Sequence, residues 1–373
     1  MYEYFPGNYR WSFAVHNTLR CGGQMGEIDR ALRPLLEADS PSAADWGEAW
    51  AGAGDEQSRL GEADLARGFE ISAGERFLRS SVYYIAAERQ MPHGDRRSEI
   101  YQLSLETFQR GVKLAGLPWE RVEIDSPDGI LPAMFLPADG PGPHPTMIFF
   151  DGFDITKEIM SLTVRDSLKR RGISCLVVDS PGVGEPLRLR NVPSRPDYEV
   201  PAGAFIDYLE TRDDVDPDRI GVMGISLGGY YAPRAAAFEP RIKCVVAWGA
   251  ILDWGATWQK RWATRSTEVS VPLDQLMWVL QKDTMEEALE RVKEWTLVDV
   301  LPRITQPALV MHGENDRQIP LDDAYKAFEL ISSTDKELKI FTLADGGAEH
   351  CHSDEPAGAI NYVSDWAAEK LRS

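Results

Sequence analysis

Ile220-Gly221-Val222-Met223-Gly224-Ile225-Ser226-Leu227-Gly228-Gly229 begins as an apolar run of strand type and tightens into a Gly-x-Ser-x-Gly turn. It then runs into a helical pattern over 227–238. A strand that turns this sharply into a helix leaves no room for side chains beside the serine, which is why glycine flanks it. Such a turn pushes the Ser226 hydroxyl into the cleft at the carboxyl edge of a sheet. It also sets Ser226 and the Leu227 amide at a helix N-terminus, where developing negative charge is favoured. A chance Gly-Ser-Gly loop would lack both the strand before it and the helix after it. Ser226 is therefore expected to be a nucleophile.

The same rhythm extends in both directions. Apolar runs at 146–150, 174–178, 220–224, 244–248, 308–312 and 338–343 alternate with helical patterns at 159–170, 202–210, 227–238, 322–331 and a last helix through Trp366. Buried strands separated by helices predict a doubly wound, mostly parallel α/β sheet. Ahead of them, 121–125 and 131–136 flank Ser126-Pro127-Asp128-Gly129, a hairpin signal. The stretch from about 253 to 298 carries no good strand but two helical patterns, 273–280 and 285–295, and reads as a helical lid insertion. The first part of the chain differs: 42–67, 72–90 and 96–114 have helical spacing, with Phe77, Tyr84 and Ile85 on one face. The expected division is a helical domain over 1–118 and a catalytic domain over 119–373.

Composition narrows the classes of partner. The 373 residues carry 40 basic and 59 acidic side chains, a net charge of −19, which opposes binding to phosphate backbones and anionic membranes. No nucleic-acid or membrane partner is expected; a small molecule is. The N-terminus lacks a basic segment followed by an apolar run, and the apolar stretches are too short to span a bilayer. Cys21, Cys175, Cys244 and Cys351 are scattered, with no disulfide framework or Cys-x-x-Cys knuckle, so the expected location is cytoplasmic.

A serine nucleophile needs a base, and six histidines can be tested by position. His16 and His93 lie in the helical segment, His144 precedes the first central strand, and His312 closes a strand. With the serine on such a turn the acid comes next in the chain and the base last. That leaves His350 and His352, in Gly346-Gly347-Ala348-Glu349-His350-Cys351-His352 after the last strand. His350 is preferred because it comes first after the Gly-Gly bend, with His352 as the alternative. Asp316, after the penultimate strand, is the expected orienting acid, with Glu314 second. The amides of Leu227 and Phe153 are expected to stabilise an oxyanion. The His-x-His pair beside Cys351, Asp354 and Glu355 lacks a third ligand cluster, so no metal is expected. Gly182-Val183-Gly184 lacks a dinucleotide fingerprint, and no cofactor is expected. Trp248 and Trp254, placed after a strand, either pack the lid or wall an aromatic substrate pocket. Cys351 reads as a small packing residue, and Lys157-Glu158 as an internal pair.

Further segments carry a resemblance. Asp151-Gly152 with Ile155-Thr156-Lys157-Glu158, Asp179-Ser180-Pro181-Gly182-Val183-Gly184-Glu185 and Gly224 to Ala232 form one set. Glu239-Pro240-Arg241, Trp248-Gly249 and Glu349-His350-Cys351 complete it. Together they resemble the branch of the α/β-hydrolase superfamily that includes 2,6-dihydroxypseudooxynicotine hydrolase and the fungal polyketide-shortening hydrolases of pigment biosynthesis. The resemblance implies an α/β-hydrolase fold whose N-terminal helical domain acts as a cap, association as a homodimer, and cleavage of a carbon–carbon bond next to a ketone. It also implies an additional pocket carboxylate, for which Asp253 is a candidate by position. Plain esterases share the fold, so a carboxylesterase with the same three residues is the nearest alternative. A non-catalytic binding or regulatory protein is a further one, opposed by the presence of Ser226, Asp316 and His350 together.

Overall fold

The computed structural model describes residues 1–372 and divides the chain into two compact units. One comprises Tyr2–Trp119 with Ser270–Pro272, the other Glu120–Val269 and the described residues from Leu273 onward, together with Met1.

The first unit is helical: α1 (Tyr9–Arg20), α2 (Met25–Glu37), α3 (Ala43–Ala66), α4 (Glu70–Glu88) and α5 (Asp95–Leu114). The three longer helices fall close to the expected stretches. α1 and α2 were not expected, although their apolar residues follow the helical period; both are short, and α2 carries Pro34 inside it, which reads as a breaker. Ser42 starts α3 with a capping box, its hydroxyl accepting from the Asp45 amide while the Asp45 carboxylate accepts from the Ser42 amide. The core of this unit is aromatic, with Trp11 stacked on Trp46 at 4.7 Å and Trp46 edge-on to Trp50. Burial of rings this large dominates such a core. Phe77, Tyr84 and Ile85 are all buried.

The second unit is built on one eight-stranded sheet. Its strands are β1 (Glu120–Ser126), β2 (Gly129–Leu136), β3 (His144–Phe150), β4 (Ser174–Val178), β5 (Val215–Ile225), β6 (Val245–Trp248), β7 (Ala308–Gly313) and β8 (Lys336–Phe341). The spatial order is β1-β2-β4-β3-β5-β6-β7-β8, with β1 and β8 outermost. The β1–β2 and β2–β4 pairs are antiparallel and the rest parallel. The connecting helices are α6 (Lys157–Thr163), α7 (Gly184–Arg190), α8 (Glu199–Glu210), α9 (Gly228–Phe238), α13 (Leu321–Leu330) and α14 (Pro356–Lys370). The insertion after β6 carries α10 (Trp254–Thr264), α11 (Gln275–Leu280) and α12 (Met285–Arg291). Of these, α10 was not expected from sequence, and α6 is shorter than the pattern over 159–170.

The inner strands β3, β4, β6 and β7 are buried along almost their whole length, which is why they read as continuous apolar runs. The chain order reverses at β3: β4 lies on one side and β5 on the other. In open α/β sheets that reversal opens a crevice at the carboxyl ends of the strands, and ligands bind there.

Candidate active site

The carboxyl ends of the six parallel strands, β3 to β8, lie at that edge. Ser226 follows β5, and its backbone adopts a left-handed conformation with φ of 59°. A non-glycine residue held there costs on the order of 1–2 kcal/mol, and such strain concentrates at functional sites. Two backbone bonds maintain it: Ser226 N–H donates to Trp248 O at 2.9 Å, and Gly229 N–H to Ser226 O at 2.7 Å. A Cβ on Gly228 would lie 2.5 Å from the Asp151 carbonyl oxygen, so only glycine lets the turn pass this close to the loop after β3. Ser226 is the one partly exposed residue in the otherwise buried run 220–233.

His350 and Asp316 stand in line with it. Ser226 Oγ lies 2.9 Å from His350 Nε2, and His350 Nδ1 lies 2.7 Å from Asp316 Oδ2. A carboxylate only accepts, so Nδ1 carries the proton and Nε2 presents its lone pair to the serine hydroxyl. Asp316 Oδ1 is held in turn by the amides of Gln318 at 2.8 Å and Ile319 at 2.9 Å. Burial pushes the Asp316 carboxyl up, but the neighbouring His350 and His312 and these hydrogen bonds outweigh it and hold the acid down at about 2. For His350 burial disfavours the imidazolium, while the Asp316 charge and the Cys351 sulfur favour it, and the balance lies above the ordinary imidazole value.

The alternatives are placed elsewhere. His352 Nδ1 meets the Gly347 carbonyl at 2.6 Å, and its ring packs on Phe341 and Trp248; burial pushes it down to about 4. Glu314 accepts from the Leu343 amide at 2.5 Å. Leu227 follows Ser226 directly, and Gly152, the residue before Phe153, lies against the same turn, where an added Cβ would fall 3.1 Å from the Ser226 Cβ; among the described residues no backbone hydrogen bond from the Leu227 or Phe153 amide is seen. The Phe153 ring packs against Trp254 at 6.0 Å and Trp258 at 5.4 Å, so the insertion braces the loop that carries this amide. Trp248 ends β6 and stacks on Phe149, fully buried. The Asp253 carboxylate caps α10, accepting from the Ala256 amide at 2.8 Å. Lys157 and Glu158 do pair, at 2.6 Å. They belong to a larger buried group with Asp179 and Glu185 that their separation in sequence concealed. Glu158, Asp179 and Glu185 are close enough to share a cation, and the Lys157 ammonium already sits among them.

Buried Cys351 also touches the His350 imidazole. Cys351 Sγ lies 3.3 Å from His350 Nε2, on a residue whose own φ is 52°. The thiol and the Ser226 hydroxyl therefore face a single lone pair, and a thiol is the weaker donor. Cys351→Ser places a stronger donor there and is expected to slow phosphonylation of Ser226 by about three- to tenfold. Cys351→Ala should match or exceed the wild-type rate. Stopped-time labelling with a fluorophosphonate measures both, and equal rates in all three proteins would exclude competition for the base.

Residues 202–372 match the model of the Prolyl oligopeptidase family. Over 337 residues the chain is 31% identical to the 2,6-dihydropseudooxynicotine hydrolase of Paenarthrobacter nicotinovorans, spanning 89% of this chain and 86% of that one. The chain belongs to the α/β-hydrolase family. This hydrolase is also 25% identical to Hydrolyase poxO of Penicillium oxalicum, across 92% of its own length and 90% of the relative's. A crystal structure of the 2,6-dihydroxy-pseudo-oxynicotine hydrolase superposes with a TM-score of 0.79 at 28% identity, covering 96% of this chain and 95% of that one. Among the described residues no helix is long and apolar enough to cross a membrane.

Proposed function

We propose that this hydrolase cleaves a carbon–carbon bond next to a ketone, in a 1,3-dicarbonyl or acyl-aromatic substrate, with Ser226 as nucleophile, His350 as general base and acid, and Asp316 as orienting acid. The observation that carries the reading is the unbroken line from Asp316 through His350 to a serine held in a left-handed turn. Similarity along nearly the whole chain to a hydrolase of 2,6-dihydropseudooxynicotine supports the substrate class.

In this reading Ser226 Oγ adds to the ketone carbonyl while its proton passes to His350 Nε2. The carbonyl oxygen becomes an oxyanion held by the amides of Phe153 and Leu227. The carbon–carbon bond breaks, its electron pair leaves with the enolate or aryl carbon, and the His350 imidazolium returns the proton to that carbon. Water, deprotonated by His350, then adds to the acyl-serine and releases a carboxylic acid. Asp316 stays ionised throughout. Trp254, Phe153 and Trp258 offer aromatic walls beside the donors, with Trp248 buried behind, and Asp253 stands at the start of the helix that carries Trp254 and Trp258.

Side-by-side turnover of an acyl-phenol or 1,3-diketone and of a simple aryl ester tests the proposal. The expected result is hydrolysis of the diketone or acyl-phenol to a carboxylic acid and a protonated carbon fragment, abolished by prior phosphonylation of Ser226. Turnover of the ester alone, across a panel of such ketones, would replace the reading by a carboxylesterase.

A further inference from the structure

The loop that carries the Phe153 amide is fastened by groups far too buried to meet a substrate. β3 and β4 are parallel neighbours, so Asp151 and Asp179 leave the sheet side by side, both wholly buried. Each carboxylate reaches across to the other's loop. Asp151 accepts from the Ser180 amide at 2.7 Å and from the Ser180 hydroxyl. Asp179 Oδ1 accepts from the Lys157 amide at 2.8 Å, and its Oδ2 from Lys157 Nζ at 2.9 Å and the Glu185 amide at 3.1 Å. Segment 151–157, with Phe153 inside it, is thus tied at its first and last residues to the one turn at 179–180.

The tie is built for charge. Lys157, 1% exposed, also meets Glu158 Oε1 at 2.6 Å and Glu185 Oε1 at 2.7 Å. A Cβ on Gly184 would fall 2.0 Å from the Asp179 carboxyl carbon, so glycine alone admits the carboxylate. Buried ions are a poor way to gain stability, since apolar packing of similar volume does as well or better. What they supply is a fixed backbone position, and an oxyanion donor works only when it is placed before the charge develops.

We propose that Asp179, Lys157 and Asp151 are positioning residues that hold the Phe153 amide where the oxyanion forms, so that the buried ionic cluster acts on the transition state and not on substrate binding. The inference rests on the reading of Phe153 and Leu227 as the oxyanion donors.

The test uses an alkyl fluorophosphonate on the full chain. Ser226 Oγ forms the new bond to phosphorus, fluoride leaves with its electron pair, and the phosphoryl oxygen carries the growing charge. Separating kinact from KI for Asp179→Asn, the expected result is a fall in kinact of about 10- to 100-fold with KI changed less than about twofold. Asp151→Asn keeps an acceptor for Ser180, and a smaller fall of about three- to tenfold is expected, again in kinact alone. Thermal melts run alongside. A folded Asp179→Asn with a lowered Tm but wild-type kinact would overturn the proposal, as would a change confined to KI. If Asp179→Asn does not fold, Asp151→Asn decides by the same split, and unchanged kinact overturns it. Absence of labelling at Ser226 in the wild type would overturn both this inference and the serine mechanism; normal wild-type labelling with unaffected variants overturns this inference alone.

Discussion

Ser226→Ala is expected to lower turnover by about four to six orders of magnitude and to abolish phosphonate labelling, with substrate affinity nearly unchanged. Removing a nucleophile that acts together with a base costs almost as much as removing the whole set, because the residual rate comes from oxyanion donors and binding alone. The same position makes a stability prediction. At φ of 59° a Cβ is strained, so Ser226→Gly should be more stable than Ser226→Ala. The left-handed penalty of about 1–2 kcal/mol is partly offset by the greater unfolded-state freedom of glycine, about 0.4–1 kcal/mol. The expected net gain is about 0.8 kcal/mol at the midpoints of these ranges, and about 1.6 kcal/mol at most, read as a higher Tm or denaturant midpoint in the glycine variant. Retained turnover in Ser226→Ala would remove the serine mechanism; equal stability of the two variants would mean that the turn relaxes once the hydroxyl is gone.

Asp316→Asn is expected to cost about 10⁴ in kcat, because an amide can donate to Nδ1 and so favour the tautomer that carries its proton on Nε2. It should also move the acid limb of the pH profile. His350 acts as a base only when neutral, and Asp316 raises its value above the ordinary 6.5, so wild-type activity should fall with decreasing pH already above that value. Without the carboxylate the imidazolium loses its charged partner, and burial, the largest influence, is opposed only by the Cys351 sulfur, which lowers the value. The limb of residual activity in Asp316→Asn therefore shifts to lower pH. A limb that stays in place would assign the titration to another group.

The Ser226 turn was legible because glycine, serine and the strand-to-helix change coincide within a few residues, and each has a steric reason. The choice of His350 over His352 rested on chain order and a bend; Cys351 and His352 both have positive φ, and the two imidazoles meet different partners, Ser226 and Asp316 for His350 and the Gly347 carbonyl for His352. That backbone reversal has no signature in residue type, so the approach of the Cys351 sulfur to Nε2 was hidden. The ionic cluster was hidden for a different reason. Lys157, Asp179 and Glu185 follow two different strands, and only the parallel pairing of β3 and β4 makes them neighbours. Trp248 ends a strand, and which face its ring takes is set by pleat, where an offset of one residue reverses the answer. Asp253 did carry a readable signal, an aspartate just ahead of a helix, which is the pattern of a cap.

The outermost strands bear on how this enzyme behaves when crowded or partly heated. β1 carries Glu120, Arg121, Glu123 and Asp125, and β8 carries Lys336, Glu337 and Lys339. A strand rim lined with charge is a poor template for a strand from a second molecule, since pairing would bring ionic groups together without water. Charge at both margins thus works against growth of the sheet by edge-to-edge pairing, although the sheet is open in topology.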